Sequence, residues 1–288
     1  MKVVQSLWVG NPLSDVETYC IRSFINAGHT FHLYTYGTVQ NIPKGTIVKD
    51  GNEIMPEKEL FQLKSTFLPF SDIFRYKMLY EKGGYWVDMD MICIKKLSFN
   101  EPYIFSSERT IQKGAYKMSV EYVPNIGILK APPKSEFYKT LYEKCLAHEH
   151  KKTNKDKIKY MRILREHITN YNFSKYVKTP EYFCHLDWWY AKDAFLPLNK
   201  LREKYGVKGK SIMSMFNGKN VYTVHFWRDL VTKKYKLDTN GKYDKRCLWE
   251  LMKTFVDTKK IPKFNFNSIK KTNKKINKFK TTKKAIKV

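Results

Sequence analysis

Short apolar runs alternate with helical patterns in the first third of the chain. The run KVVQSLWVG is rich in β-branched residues and ends at Gly10, which predicts a strand followed by a loop. In SDVETYCIRSFINAGH, apolar residues recur at helical spacing up to Gly28, and Ser14 precedes Glu17 by three positions, as in a capping box. TFHLYTYG then predicts a second strand. This β-α-β order predicts parallel strands in an α/β fold.

A second helix and strand are predicted in LPFSDIFRYKMLYEKGGYWVDMDMICI. Ser71 is the expected N-cap of this helix, and Gly83 is its stop signal. The strand that follows carries Asp88 and Asp90 within an apolar and aromatic run. Because side chains at i and i+2 on a strand share a face, these carboxylates are expected to project together, about 7 Å apart. They repel each other and resist desolvation unless a cation or hydrogen-bond donors compensate.

The residues alone leave two interpretations of this acid pair open. Mg²⁺ or Mn²⁺ would neutralise it, since oxygen ligands select hard cations that keep positions open for substrate phosphates. Alternatively, the strand ends at Val87 and both aspartates are solvated in a turn. Asp72 and Arg75 stand at i and i+3 in the expected first turn of the helix, although Asp72 also suits the helix N-terminus for its charge alone.

Composition narrows the class of protein. With 288 residues, 42% hydrophobic and 15% aromatic, the chain can bury a sizeable core in one large domain or two smaller ones. No run approaches the roughly 18 apolar residues of a membrane span, and the opening segment is too short for a signal peptide, so we expect a soluble, unprocessed protein. Its five cysteines lie far apart without a C-x-x-C pair, which argues against a zinc site or a disulfide framework and favours a reducing compartment.

The net charge of +27 suggests a polyanionic partner, but its distribution is uneven. Residues 259–288 contain twelve lysines and no acid, and so supply +12 of the total. This Lys/Asn-rich tail, taken as 258–288, is expected to be flexible. It is a solubilising tail, an anchor on anionic membrane or a site of non-specific nucleic-acid contact.

Three strings together resemble a known family: LWVG in the first strand, SDIFRYKMLYEKGGYWVDMD in the middle and VHFW near the C-terminal end. They are similar to glycosyltransferases whose sugar-binding region contains a DXD motif. This family 32-like group includes initiating α-mannosyltransferases, α-1,4-galactosyltransferases and, distantly, the clostridial glucosylating toxins. The resemblance implies a GT-A fold, in which helices flank a Rossmann-like, mostly parallel sheet, here with a helical insertion. It implies one domain, 1–257, with a nucleotide-sugar half at about 1–130 and an acceptor half at about 131–257.

The resemblance also implies a metal site. Asp90 would bind Mn²⁺ or Mg²⁺ directly, while Asp88 would contact the donor ribose and the water shell of the ion. His225, near the end of a strand expected over 220–226, would complete the site, and imidazole is a good ligand for Mn²⁺. An ordinary strand-end histidine is the alternative.

The donor site implied by the resemblance contains several further residues, with Asp88 as the ribose contact. Trp8 would stack on the base, Trp86 would wall the pocket, and simple packing is the alternative for both. Asp72 would contact the sugar hydroxyls, and Arg75 would contact the same hydroxyls or a phosphate. The donor-binding residues are Leu7, Trp8, Val9, Asp72, Arg75, Trp86 and Asp88.

Two residues are candidates on the acceptor side. Asn125, in VPNIGILKAPPKS, is implied to lie near the transferred sugar. Asp187, in HLDWWYAKDAF, either holds a sugar hydroxyl next to Trp188 and Trp189 or caps a helix in a buried aromatic loop. The catalytic candidates are Asp88, Asp90, Asn125 and Asp187.

The expected function is therefore metal-dependent transfer of a hexose from a UDP-sugar, or a GDP-sugar, to a glycan or other hydroxyl acceptor. The metal would bridge Asp90 and both phosphates, and the family retains anomeric configuration. A metal-dependent nuclease or phosphatase is an alternative that leaves the SDIFRY to DMD string unexplained. A non-catalytic nucleotide-sugar-binding module is another. We expect a cytoplasmic enzyme of bacterial or viral origin, in the host cytoplasm if viral, with anionic-membrane contact through the tail and no specific nucleic-acid partner.

Overall fold

The computed structural model describes residues 3–62, 66–113, 118–150, 160–199 and 215–262. Its strands are β1 Val3–Trp8, β2 Thr30–Thr35, β3 Thr46–Asp50, β4 Gly84–Val87, β5 Met91–Cys93, β6 Ile104–Lys113, β7 Met118–Ala131 and β8 Thr223–His225. Its α-helices are α1 Asp15–Asn26, α2 Leu68–Lys82, α3 Glu136–His150, α4 Tyr160–Asn170, α5 Pro180–Phe183 and α6 Leu248–Thr258. Short 3₁₀ helices span Gly51–Glu53, Glu57–Glu59, Ser174–Tyr176 and Trp188–Phe195, and a π-helix spans Leu230–Lys234.

The main sheet has six strands in the order β3-β2-β1-β4-β7-β6. Strands β3, β2, β1 and β4 are parallel, while β7 is antiparallel to both β4 and β6. Five of the six strands therefore run in one direction, and the predicted α/β fold with a mostly parallel sheet is confirmed. Strand β5 leaves this sheet and pairs antiparallel with β8, which places Met91 opposite His225.

Helix α1 begins as the sequence predicts. The backbone N–H of Ser14 donates to Oε2 of Glu17 across 2.7 Å, which satisfies a group that a helix start otherwise leaves unpaired. The apolar face of the helix then packs Val16, Cys20 and Phe24 into the core. The predicted capping box is confirmed.

Helix α2 begins earlier than the sequence suggests. Its N-cap is Phe67 and Pro69 occupies the first turn, where the fixed φ of proline suits a helix start. Ser71 therefore lies inside the helix, and the prediction that it is the N-cap is wrong. Asp72 falls beyond the first turn, which weakens the macrodipole explanation for its charge. Gly83 ends the helix at φ 64°, as predicted, and a Cβ there would stand 2.5 Å from the backbone nitrogen of Pro133.

Both faces of the main sheet are covered, as expected for parallel strands. On β4, Trp86 points into a core shared with α2, α3 and α4, whereas Tyr85 and Val87 point into a core shared with α1. A third cluster surrounds Trp249 of α6 and the 3₁₀ helix Trp188–Phe195. Helices α3 and α4 confirm the predicted helical region, whose segment 151–159 lies outside the described residues.

The remaining expectations concern cysteines, membrane spans and the tail. All five cysteines are buried free thiols. Among the described helices, none combines the length and apolar character that crossing a bilayer requires. The tail predicted over 258–288 lies outside the described residues from position 263 onward. The division at 257 and the two halves of the domain stay predictions.

Candidate active site

The two acids of the DMD string lie in a turn between two sheets. Strand β4 ends at Val87, the Asp88 N–H donates to the carbonyl of Gly127 across 2.8 Å, and the Met91 N–H donates to the carbonyl of Asp88 across 3.3 Å. The prediction that both acids project from one strand is wrong, because the chain must turn here for β5 to reach β8. The solvated-turn alternative fails as well, since Asp90 is only 9% exposed.

This turn brings the acids to His225. Asp88, Asp90 and His225 each offer one ligand atom, and these atoms lie within 4.8 Å of one another. Nε2 of His225 is 3.0 Å from Oδ1 of Asp90. Burial by itself would lower the pKa of His225, but the adjacent Asp90 carboxylate raises it well above the ordinary value. Two carboxylates and an imidazole suit Mn²⁺, so the residues fit a divalent cation.

A buried arginine joins two of the acids in the string. Nη1 of Arg75 donates to Oδ1 of Asp88 across 2.8 Å, and Nη2 lies 2.9 Å from Oδ1 of Asp72. The Arg75 guanidinium lies 4.7 Å from the ring of Trp86, and the Trp86 indole N–H donates to the same oxygen of Asp88 across 2.9 Å. Burial raises the pKa of Asp72 to about 7, and this outweighs the opposing effect of Arg75, whose charge is shared with Asp88.

A cavity of about 670 Å³ opens beside these residues, which is within the usual range for small-molecule sites. All seven residues predicted to bind the donor line it, and Asp90 does too. They are Leu7, Trp8, Val9, Asp72, Arg75, Trp86 and Asp88. The indole N–H of Trp8 is buried without a hydrogen-bond partner. The fold thus gathers these eight residues, which lie up to 83 positions apart in the sequence, around one space.

The sequence did not reveal the contribution of Arg228 to this cavity. Its backbone N–H donates to Oδ2 of Asp90 across 2.7 Å, and its Nε lies 2.6 Å from Oε1 of Glu17, a residue with 0% exposure. Its guanidinium carbon is 5.2 Å from the centre of the Trp8 ring. The sequence indicated Glu17 only as a capping-box residue. Its ion pair with Arg228 spans 211 positions, so no local sequence pattern predicts it. Lys233 adds a third base to the lining, after Arg75 and Arg228.

The two acceptor-side candidates lie outside the lining of this cavity, as far as the described residues show. Asn125 is buried and donates from Nδ2 to Sγ of Cys184 across 3.2 Å, and that sulfur is 3.8 Å from Nδ1 of His225. Asp187 precedes the 3₁₀ helix Trp188–Phe195 without capping it through its side chain, and Oδ1 accepts from Arg109 across 2.9 Å. Their catalytic roles stay predictions.

Comparison with known proteins adds a family match. Residues 16–111 match the family model described as a glycosyltransferase sugar-binding region containing a DXD motif. Among solved structures, one described as PaToxG glycosyltransferase is similar at 12% identity and a TM-score of 0.43, over 59% of this chain and 69% of that chain. No curated protein matches the sequence. Asp88 and Asp90 are the DXD motif of the matched segment, and the predicted resemblance to DXD-motif glycosyltransferases is confirmed over residues 16–111.

Proposed function

We propose that the enzyme transfers a hexose from a nucleotide sugar, with a UDP-sugar as the preferred donor, to a hydroxyl of a glycan acceptor. One observation carries the proposal. The ligand atoms of Asp88, Asp90 and His225 lie within 4.8 Å of one another, beside a cavity of about 670 Å³ that is also lined by Trp8 and Arg75. A cation site, a guanidinium and an aromatic face around one space are the chemistry that a nucleotide diphosphate sugar requires.

Asp90 and His225 would hold Mn²⁺ or Mg²⁺, and Asp88 would hold the ion directly or through its water shell. When bound, such an ion neutralises charge on a diphosphate leaving group. Neighbouring groups of the protein already fix the ligands. The backbone N–H of Arg228 donates to Oδ2 of Asp90, and this leaves the other carboxylate oxygen directed at His225.

The remaining residues would bind and orient the donor. Because Arg75 and Trp86 both donate to Oδ1 of Asp88, its second oxygen is left for a ribose hydroxyl or a water on the ion. Trp8 offers a ring for the base, and Arg228 stands between that ring and Asp90, where a diphosphate would lie.

The proposed reaction retains anomeric configuration. The acceptor oxygen attacks the anomeric carbon on the face that the diphosphate leaves, the glycosidic bond to the diphosphate breaks, and the departing phosphate oxygen takes the acceptor's proton. This scheme requires no carboxylate as a nucleophile. The acids described above are each engaged with a cation, as Asp72 and Asp88 are with Arg75.

The Lys-rich tail forms a separate part of the proposal. Its charge of +12 over residues 259–288 suits contact with an anionic membrane surface from the cytoplasmic side. Helix α6 ends at Thr258, so the tail follows the last described element. Removal of 263–288 is expected to spare transfer to a soluble acceptor and to abolish binding to vesicles that contain anionic lipid. Loss of soluble transfer would place the tail in the active site instead.

The central experiment incubates the protein with Mn²⁺ and a panel of UDP- and GDP-sugars, and follows both nucleotide release and the melting temperature. We expect one nucleotide sugar to raise the melting temperature only when Mn²⁺ is present, and to release its nucleotide. EDTA-treated protein is the matched control. The absence of any metal-dependent stabilisation across the panel would refute the proposal.

A further inference from the structure

An exposed aromatic side chain stands on the hairpin formed by β6 and β7. Tyr122 is 57% exposed, the highest value among the large apolar side chains of the described residues. It lies directly opposite Arg109 in the register of the two strands, and the Arg109 guanidinium carbon is 5.8 Å from the centre of its ring. Tyrosine is enriched at binding surfaces because it offers an apolar ring together with a polar hydroxyl.

Arg109 also gathers two acids from a later part of the chain. Its Nη1 donates to Oδ1 of Asp187 across 2.9 Å, and its Nη2 donates to Glu181. These three side chains carry one positive and two negative charges, so the cluster is net negative in a chain of net charge +27. We call Tyr122, Arg109, Glu181 and Asp187 the acceptor surface.

The acceptor surface lies close to the proposed metal ligands Asp88, Asp90 and His225. The indole N–H of Trp227 donates to the carbonyl of Leu186, the residue before Asp187, across 2.9 Å. The ring of Trp227 stacks on His225 with centroids 3.8 Å apart. One tryptophan therefore separates the segment that carries Asp187 from the proposed metal ligand.

We propose that the acceptor surface binds a neutral glycan whose pyranose ring stacks on Tyr122. This inference rests on the proposed transfer reaction. The C–H face of a pyranose packs against an aromatic ring, and neighbouring hydroxyls suit carboxylates and a guanidinium that are already fixed by one another. The net negative charge of the surface disfavours phosphorylated and other anionic acceptors, in contrast to the charge of the whole chain.

The test compares the wild-type enzyme with Tyr122→Ala, Tyr122→Phe and the control Val48→Ala. Val48 is also exposed but lies on β3, at the opposite edge of the sheet. Binding of a panel of neutral methyl hexosides and disaccharides is measured by saturation-transfer NMR. The same sugars are added to the Mn²⁺-dependent nucleotide-release assay, so that the KM of the acceptor and the KM of the donor are obtained separately.

We expect at least one neutral sugar to bind the wild type and to accelerate nucleotide release. Tyr122→Ala should raise its KM about fivefold without a matching change in donor KM, because the loss of one stacking contact is about 1 kcal/mol. Tyr122→Phe should restore most of the affinity, and Val48→Ala should leave it unchanged. The acceptor surface is overturned if no sugar in the panel binds, if a protein or anionic acceptor accelerates release instead, or if Tyr122→Ala and Val48→Ala behave alike. Failure of nucleotide release with sugar binding intact would count against the proposed transfer, not against the surface.

Discussion

Arg75 donates to Asp88 across 2.8 Å from a side chain that is only 3% exposed. The same guanidinium lies 2.9 Å from Asp72, so it places one positive charge between the two acids. The helix and the DMD turn, thirteen positions apart at these residues, are thereby tied together at the donor cavity. The contact is therefore structural as well as part of the proposed site.

Replacement of this guanidinium should destabilise the fold. Arg75→Met leaves Asp72 and Asp88 without their shared cation, and removal of one partner from a buried ion pair costs about 3–5 kcal/mol. Urea unfolding at neutral pH measures the loss. The matched control is Arg162→Met on α4, where an i,i+4 pair with Glu166 is exposed and Arg162 is 77% accessible, so the expected change is within about 0.5 kcal/mol. Equal losses in both variants would contradict the role of Arg75.

Part of the fold could be predicted from the sequence. The β1-α1-β2 unit was predictable because each element has its own hydrophobic period and α1 has its own capping box, formed by Ser14 and Glu17. The turn at Asp88 and Asp90 was not readable, because it exists only so that Met91 can pair with His225, which lies 134 positions later. The local pattern therefore identified the two acids as site residues but assigned them to a strand instead of a turn.

Long-range ion pairs could not be predicted from local sequence patterns either. The donor cavity was anticipated through residues that the family resemblance carries, whereas the ion pair of Glu17 with Arg228 depends on a contact between α1 and the segment after β8. Burial decides the importance of Glu17, and burial is a property of the packed molecule. A capping acid on an exposed helix has the same local sequence.

Asp72 should make stability depend on pH. Burial raises its pKa to about 7, from an ordinary value of 3.8 that also applies to the unfolded chain. The folded state therefore binds a proton that the unfolded state releases between these values, and the free energy of unfolding falls as pH rises through this window. We expect the stability of the wild type, relative to Asp72→Asn, to decline from about pH 4 to about pH 7.

Urea unfolding in EDTA at intervals of half a pH unit measures this difference, because subtraction of the Asp72→Asn curve removes the titration of other groups. Val48→Ala, at an exposed residue that does not titrate, serves as the control, and its stability relative to the wild type should not change with pH. A stability difference for Asp72→Asn that rises with pH would mean that Arg75 keeps the carboxylate charged in spite of its burial.

The proposed metal site of Asp88, Asp90 and His225 can be tested directly by measurement of Mn²⁺ binding. Asp90→Asn can still accept the N–H of Arg228 through its amide oxygen, so the fold should persist while Mn²⁺ binding and turnover are lost. His225→Ala should weaken Mn²⁺ binding strongly as well, because it removes one of three ligand atoms. Isothermal titration with Mn²⁺ is the measurement, and His32→Ala on β2 is the matched control. Unfolding of Asp90→Asn, or unchanged Mn²⁺ affinity in either site variant, would indicate that the cluster is structural.

Arg228 is the residue that should distinguish donor binding from metal binding. Its backbone fixes Asp90, which a side-chain substitution leaves intact, while its guanidinium faces Trp8 and the cavity. Arg228→Ala should therefore raise the donor KM about 10- to 100-fold, as the loss of a charge-assisted contact of about 1.5–3 kcal/mol predicts, with Mn²⁺ affinity retained. The control is Arg22→Ala, which breaks a surface pair with Asp257. Neither residue lines the cavity, so this variant should change neither the donor KM nor the Mn²⁺ affinity. If Arg228→Ala weakened Mn²⁺ binding and donor binding equally, its guanidinium would support the metal ligands and not the donor, and the diphosphate would have to be bound by other bases such as Lys233.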